Sequence, residues 1–489
     1  MIFTLYLIIF AIGYRIMFCE IQARLRMDYR DEPANQRGVA SSHLLSVRSI
    51  STPNIPDQYL DTLLSSKHIS RCGSMKIISL LLCSAMLFCD LAFANTYQIT
   101  VGKSDVSYDW APLQVVIKVP PADLQSVCND VLTDPQGEII PTDIVPVMNP
   151  SGKYAGTVEV FWVAKTLPKD QDTLYRLAPR GELPKPKPVF DLRRSSKGLD
   201  ISLDGRLIAT YDVVSRPKPV IWPLRDLEGD LIVRGYPMIH VAGESTDHPH
   251  HCGIWLGHGS VSGHDFWLDS GGRIVNQSLK VLTPHESNAI GKFEAVAKWI
   301  TRKGEPLIQD TRVITFYPAD HEYLMDFEIY LKNITHGDLI FEDSKEGTFG
   351  LRIPDSMRLA GGDGHILSAT GLRDHQVWGA RADWVDYSGT VDGKTLGFLF
   401  MDAPDSYGHP TYWHARDYGL FAANPFGKHF FVKGAPKGAG NHTVPAGGVL
   451  HLHYRILIHP GAPREGMVQR VWNDLNHPPH VSVKLLAKD

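Results

Sequence analysis

From Asn95 onward the chain is dominated by short stretches in which apolar and polar residues alternate, separated by Pro, Gly, Asn and Asp. In DFEIYLKN, Phe327, Ile329 and Leu331 fall on one side and Glu328, Tyr330 and Lys332 on the other. That period of two is the signature of a half-buried antiparallel strand. YQITV (97–101), LQVVIKV (113–119), YAGTVEVFWVA (154–164) and TLYRLA (173–178) follow the same habit, with turns at Pro120-Pro121, Asp134-Pro135-Gln136-Gly137 and Asn149-Pro150-Ser151-Gly152. They predict a small β-sandwich over residues 95–177. Prolines 179, 184, 186 and 188 then favour an extended polyproline II linker over residues 178–189.

Strand patterns resume at Phe190. GLDISLDGRLIATYDV predicts a hairpin turning at Asp204-Gly205. KFEAVAKWIT (292–301), DTRVITFYP (310–318), YLMDFEIYLKNIT (323–335), GTFGLRIP (347–354), TLGFLFMDA (395–403), HFFVKGA (429–435) and LHLHYRILIH (450–459) continue the series. The sole helical pattern is Pro463 to Leu475, with Met467, Val468, Val471 and Leu475 at helical spacing. The fold class is therefore all-β, a small amino-terminal sandwich followed by one large antiparallel sandwich over residues 190–480.

The amino end reads differently. Met75-Lys76 forms a short positive start, Ile77 to Cys89 an apolar run, and Ala92-Phe93-Ala94 an A-x-A cleavage site. These are the parts of a secretory signal peptide over residues 75–94. Residues 1–74 then form an upstream extension of the reading frame without ordered structure, and the protein is exported to the periplasm or beyond the cell. The competing reading is a membrane anchor at residues 2–19 with a second hydrophobic segment at 77–94; both are short for a span of about 20 residues. Four of the six cysteines lie in or before the leader, and only Cys128 and Cys252 remain in the mature chain, too few for a disulfide framework. A net charge of −4 and the lack of a basic stripe exclude the usual nucleic-acid binders.

Candidate chemistry concentrates in Tyr236 to Leu268, YPMIHVAGESTDHPHHCGIWLGHGSVSGHDFWL. Six histidines (240, 248, 250, 251, 258 and 264) sit there among Asp247, Asp265, Trp255, Trp267 and several turn-forming glycines. Imidazole is the side chain that titrates near neutral pH or ligates a metal, so this density reads as a site. Three further turn-rich stretches carry polar groups: Glu342 to Gly347, Trp384 to Gly389, and His414 to Gly419 leading into Asn424-Pro425-Phe426-Gly427. The last offers a stacking surface and forked donors, which suit a polyol or a carboxylate.

These four stretches resemble the motifs of a bacterial family of unknown function that carries the label "methane oxygenase PmoA", over roughly Phe190 to Asp474. A membrane copper monooxygenase subunit needs several apolar spans, and the mature chain offers none, so no oxygenase chemistry is drawn from the label. The chain is also distantly similar to the galactose-mutarotase-like supersandwiches, which bind sugars in a long groove. That resemblance implies a small-molecule carbohydrate ligand, with a carboxylate as general base and a histidine as general acid. Mapped by chemistry, Glu346 takes the first role and His251 or His258 the second. Substrate contacts are expected from His248, His250, Asp265, Trp255, Trp413, His414, Arg416, Tyr418 and Asn424. The reaction would be of epimerase, lyase or hydrolase type.

Two other classes stand beside it. Asp247, His248, His250 and His258 could ligate a divalent metal such as zinc or iron. The His-x-His spacing resembles a cupin, although Ile254 or Trp255 stands where a cupin has its Glu. Alternatively, Trp255, Trp267, Trp384 and Trp413 could stack on sugar rings in a non-catalytic binding module.

Overall fold

The structure, a computed structural model, describes residues 95–486 apart from 182, 184 and 185. The leader at 75–94 and the extension at 1–74 lie outside the described residues. Everything described is β-rich, with three short or medium helices. The small sandwich has a five-stranded and a three-stranded sheet. They close over a core of Ile99, Leu132, Val158, Val160, Trp162 and Leu177. The last strand of the five-stranded sheet's edge was not anticipated: Val481–Leu486 returns from the far end of the chain and pairs with Thr96–Val101. Its alternation of intermediate and exposed residues gave it no strong apolar face.

The large domain is a supersandwich of two antiparallel sheets. The first runs Glu286–Ser287, Phe190–Arg194, Gly198–Leu203, Arg206–Asp212, Val220–Leu224, Ile254–His258, Gly347–Arg352, Leu420–Asn424 and Tyr412–Ala415. The second is eight-stranded and contains the long strands Pro306–Pro318, Tyr323–Asn333 and Val449–Pro460. The Asp204-Gly205 hairpin forms as the pattern required, with Leu203 opposite Arg206. Their facing sides share one core. Phe349 of the first sheet meets Phe327 and Phe400 of the second, with ring centroids 4.8 and 5.7 Å apart. Such edge and tilted packing among large rings adds to their area burial.

The expected helix forms over Glu465–Asn476 and lays Val468 and Val471 on Leu324, Leu399, Met401 and Leu457 at the outer side of the second sheet. HFFVKGA does not form a strand. Lys428–Phe431 is a single helical turn, because the Asp343 carboxylate accepts from the backbone amides of His429 and Gly440 and draws this loop into a compact bend. Cys128 and Cys252 are both free.

Strand periodicity decides what reaches the site. Leu256, Phe349 and Ala423 are cross-strand neighbours on the core side. One residue along, Trp255, Gly350 and Ala422 are neighbours on the opposite side, turned away from the second sheet. Trp255 lies flat there because position 350 has no side chain. A Cβ on Gly350 would stand 2.7 Å from the indole.

Candidate functional site

The outer face of the central strands carries a pile of rings. His251 stacks on Trp255 with centroids 5.1 Å apart, His248 on His251 at 4.8 Å, and Tyr418 on His248 at 5.0 Å. The rings come from the strand Ile254–His258 itself, from the loop before it, and from the turn between Tyr412–Ala415 and Leu420–Asn424. Trp255 and His251 are buried at the bottom, while the His248 side chain keeps 41% of its surface exposed. His248 also has a positive φ of 42°, uncommon for a residue with a side chain. Such backbone is held only where its surroundings enforce it.

What enforces it is a charge network. The Asp247 carboxylate accepts from His248 Nδ1 at 2.6 Å, Arg234 Nη1 at 2.5 Å and Arg352 Nη2 at 3.0 Å. Both guanidiniums are fully buried. Arg234 also donates to the carbonyls of His248 and His251, at 2.9 and 3.3 Å, which pins the loop. Burial alone would raise the Asp247 carboxyl, but Arg352, the His248 hydrogen bond and Arg234 together bring it down to about 2. An ionised carboxylate can only accept, so His248 carries its proton on Nδ1 and, when neutral, presents Nε2 as a lone-pair acceptor.

Glu346 stands on the turn that enters Gly347–Arg352, with 38% of its side chain exposed. Burial raises its carboxyl above the ordinary range against the pull of Lys345, His248 and Arg416, with Asp265 adding to the rise. The turn is fixed from below. Asn424 Nδ2 donates to the carbonyls of Ser344 and Lys345, and His414 Nδ1 bonds the Lys345 carbonyl at 2.7 Å. The backbone amide of Gly259 donates to the Glu346 carbonyl at 2.6 Å. A Cβ at Gly259 would collide with Glu346 Cβ at 2.8 Å, so only glycine lets the turn seat there. Arg416 lies over the Tyr418 ring, 5.4 Å from its centroid, and Arg352 lies 5.0 Å from the same centroid. Burial lifts the Tyr418 phenol to about 12, so it stays protonated and can donate.

The structure thus gathers Glu346, His248, Tyr418 and Arg416 within electrostatic reach of one another, with Asp265 close enough to act on Glu346. Asp265 uses one oxygen to accept from the amides of Trp267 and Leu268, at 2.7 and 2.9 Å. His250 is partly buried edge-on to His251, and burial followed by Lys218 lowers it to about 3.

Several assignments need correction. His258 cannot be the acid. It faces the core side, three residues on from outward-facing Trp255, where it packs on Phe341 and Phe426. Its Nε2 bonds the Glu342 carbonyl at 2.7 Å and its Nδ1 meets Thr348 Oγ1 at 3.3 Å. His251 is on the right face but buried beneath His248, and its ring nitrogens have no partner among the described residues. The exposed histidine beside Asp247 in this loop is His248. Trp255 and Trp413 offer no floor to a ligand: the first is covered by His251 and Trp267, and the second packs in the core on Phe400. His414 and Asn424 are struts of the Glu346 turn, not ligand contacts. Asp386, in the third polar stretch, is buried against His459 at 2.7 Å. Nor do the proposed metal ligands assemble. Asp247 and His248 are bonded to each other, His258 points to the other side of the sheet, and no cluster of three His, Cys, Asp or Glu fit for a metal occurs among the described residues.

The residues missed were Arg234 and Arg352. The available signal was an arginine inside the otherwise apolar strand GTFGLRIP, which must find a buried carboxylate.

His258 also supplies a pH prediction. Burial holds it neutral down to about 4, against an unfolded value near 6.5. The folded value is depressed, so its contribution is complete above pH 6.5 and is lost as pH falls toward 4. Denaturant titrations of wild type and His258→Gln at pH 7 and pH 4 should differ in their pH response, the wild type losing about 3 kcal/mol more. Parallel responses would contradict the burial of a neutral ring.

A family described as of unknown function (DUF6807) matches residues 198–473, more than half of the chain. That description names no activity. No curated protein matches. Among solved structures, the chain is similar to an alpha-mannosidase from Enterococcus faecalis V583, at 10% identity and a TM-score of 0.36, over 81% of this chain and 46% of that one. A glycosyl hydrolase family 38 protein from Enterococcus faecalis gives 11% identity and a TM-score of 0.33, over 84% and 50%. A galactose mutarotase-like protein from Lactobacillus casei ATCC 334 gives 11% and 0.26, over 55% of this chain and all of that one. The chain spans about half the length of the first two. Scores this low carry no argument about activity.

Proposed function

Because the chain belongs to this family of unknown function, its activity has to come from the site, and we propose that it is an exported carbohydrate-active protein that binds a sugar or sugar acid and moves a proton on it. The observation that carries the reading is the Asp247–His248 dyad, clamped by two buried arginines and within electrostatic reach of the Glu346 carboxyl, which burial raises above the ordinary range. His248 Nε2 is the acceptor and Glu346 the partner that donates or receives on the other side of the bound ring. A pair of titratable groups with unlike environments is what acid–base catalysis at neutral pH requires. Arg416 and the Tyr418 hydroxyl supply donors for ring hydroxyls or a carboxylate, and Asp265 an acceptor; that mixture suits a polyol. The type of reaction is an epimerisation, elimination or hydrolysis.

The burial of Trp255, Trp267 and Trp413 speaks against the alternative of a binding module built on stacked tryptophans. The test is calorimetric titration of the protein with galactose, glucose, galacturonate and glucuronate. At least one should bind, and His248→Gln and Glu346→Gln should weaken it. Binding of none, or binding that both variants leave untouched, would overturn the assignment.

A further inference from the structure

Beside Arg416 the surface opens into a cavity, and we propose that it is a subsite for a second sugar ring, so that the ligand is a disaccharide or a chain end. This rests on the function proposed above. The cavity has a volume of about 190 Å³ and is walled by Leu359, Ile366, Asp374, Trp378, Arg416 and Asp417. At about 30 Å³ per water that is room for about six waters, the bulk of one sugar ring.

Three features fit a sugar ring. Trp378 is the one tryptophan among the described residues that reaches 36% exposure, and an open indole beside apolar Leu359 and Ile366 suits the C–H face of a pyranose. Asp374, Asp417 and Arg416 stand around it as acceptors and a forked donor for the hydroxyl edge. The cavity is also built and not incidental. Trp378 is held edge-on by Phe431 at 5.5 Å, and buried Tyr387 accepts from the Leu359 amide at 2.9 Å while donating to the Arg416 carbonyl at 3.2 Å.

Arg416 joins the two places. Its guanidinium lies 5.4 Å from the Tyr418 centroid and 5.6 Å from the Trp378 centroid. It therefore stands between the Tyr418–His248 stack and the cavity, where the oxygen linking two rings would pass. A ligand that filled both places would place its glycosidic linkage beside this cation.

The test compares matched probes on wild type, Trp378→Ala and Trp378→Phe: galactose with lactose, glucose with cellobiose, galacturonate with digalacturonate. In wild type at least one disaccharide should bind more tightly than its monosaccharide. Trp378→Ala should weaken that disaccharide by about tenfold and leave the monosaccharide unchanged, while Trp378→Phe retains most of the gain. If disaccharides gain nothing over monosaccharides, or Trp378→Ala weakens both equally, the subsite is overturned and the function stands. If no probe binds wild type, the function itself falls, and the subsite with it.

Discussion

His248→Gln is expected to lower turnover of the sugar selected by titration by about 10²–10⁴, the usual contribution of one positioned proton carrier. The fold should survive, because the His248 side chain keeps 41% of its surface exposed while Trp255 and His251 form the buried part of the ring pile. Glu346→Gln should cost a similar factor, since the amide keeps the shape and removes the proton. The two groups act on one event, so the double variant should be little worse than the poorer single one. Steady-state rates with far-ultraviolet circular dichroism as a fold control decide it. A His248→Gln enzyme as fast as wild type would remove the dyad from the mechanism, and retention of full rate by Glu346→Gln would remove its partner.

The second large effect is on stability. Asp247 is the shared counter-ion of Arg234 and Arg352, both without exposed surface. Asp247→Asn leaves two buried guanidiniums facing an uncharged amide, with Asp355 the remaining carboxylate near Arg352 at 3.9 Å. Breaking a buried ion pair from one side costs about 3–5 kcal/mol, and the partial exposure of Asp247 puts the expected loss at about 3 kcal/mol. Urea denaturation should show it as a lower midpoint at unchanged slope. The variant should also lose the fixed His248 tautomer, so activity falls along with stability. Because the Asp247 carboxyl is held at about 2 in the folded chain, its contribution is present above the unfolded value near 4 and disappears only as pH falls through 2. The network therefore persists across ordinary buffers. A midpoint within error of wild type would show that the arginines are satisfied without it.

Alternation made most of the architecture legible. The period of two in DFEIYLKN and its counterparts marks strands whatever their partners, and the turn at Asp204-Gly205 has a chemistry of its own. What alternation could not supply is the absolute phase of a strand in a nearly continuous apolar run. GIWLGH reads the same whether Trp255 or His258 faces outward, and here Trp255 does, which puts His258 on the core side, away from His248 and Glu346. Trp413 and His414 were subject to the same ambiguity, resolved by Trp413 entering the core opposite Ala423. Arg352 is 105 residues from Asp247 and meets it only through the fold, while Arg234 stands 13 residues before it in the same loop, a spacing that carries no motif of its own. Val481–Leu486 escaped notice because its sheet begins at the opposite end of the chain.

The most direct measurement is a crystal structure of the protein with the tightest-binding sugar of the panel. The account predicts ring oxygens or an attached C–H within about 3.2 Å of His248 Nε2 or of the Glu346 carboxyl, with Tyr418 and Arg416 donating to the same molecule. A sugar bound elsewhere on the chain, with His248 and Glu346 untouched, would contradict it.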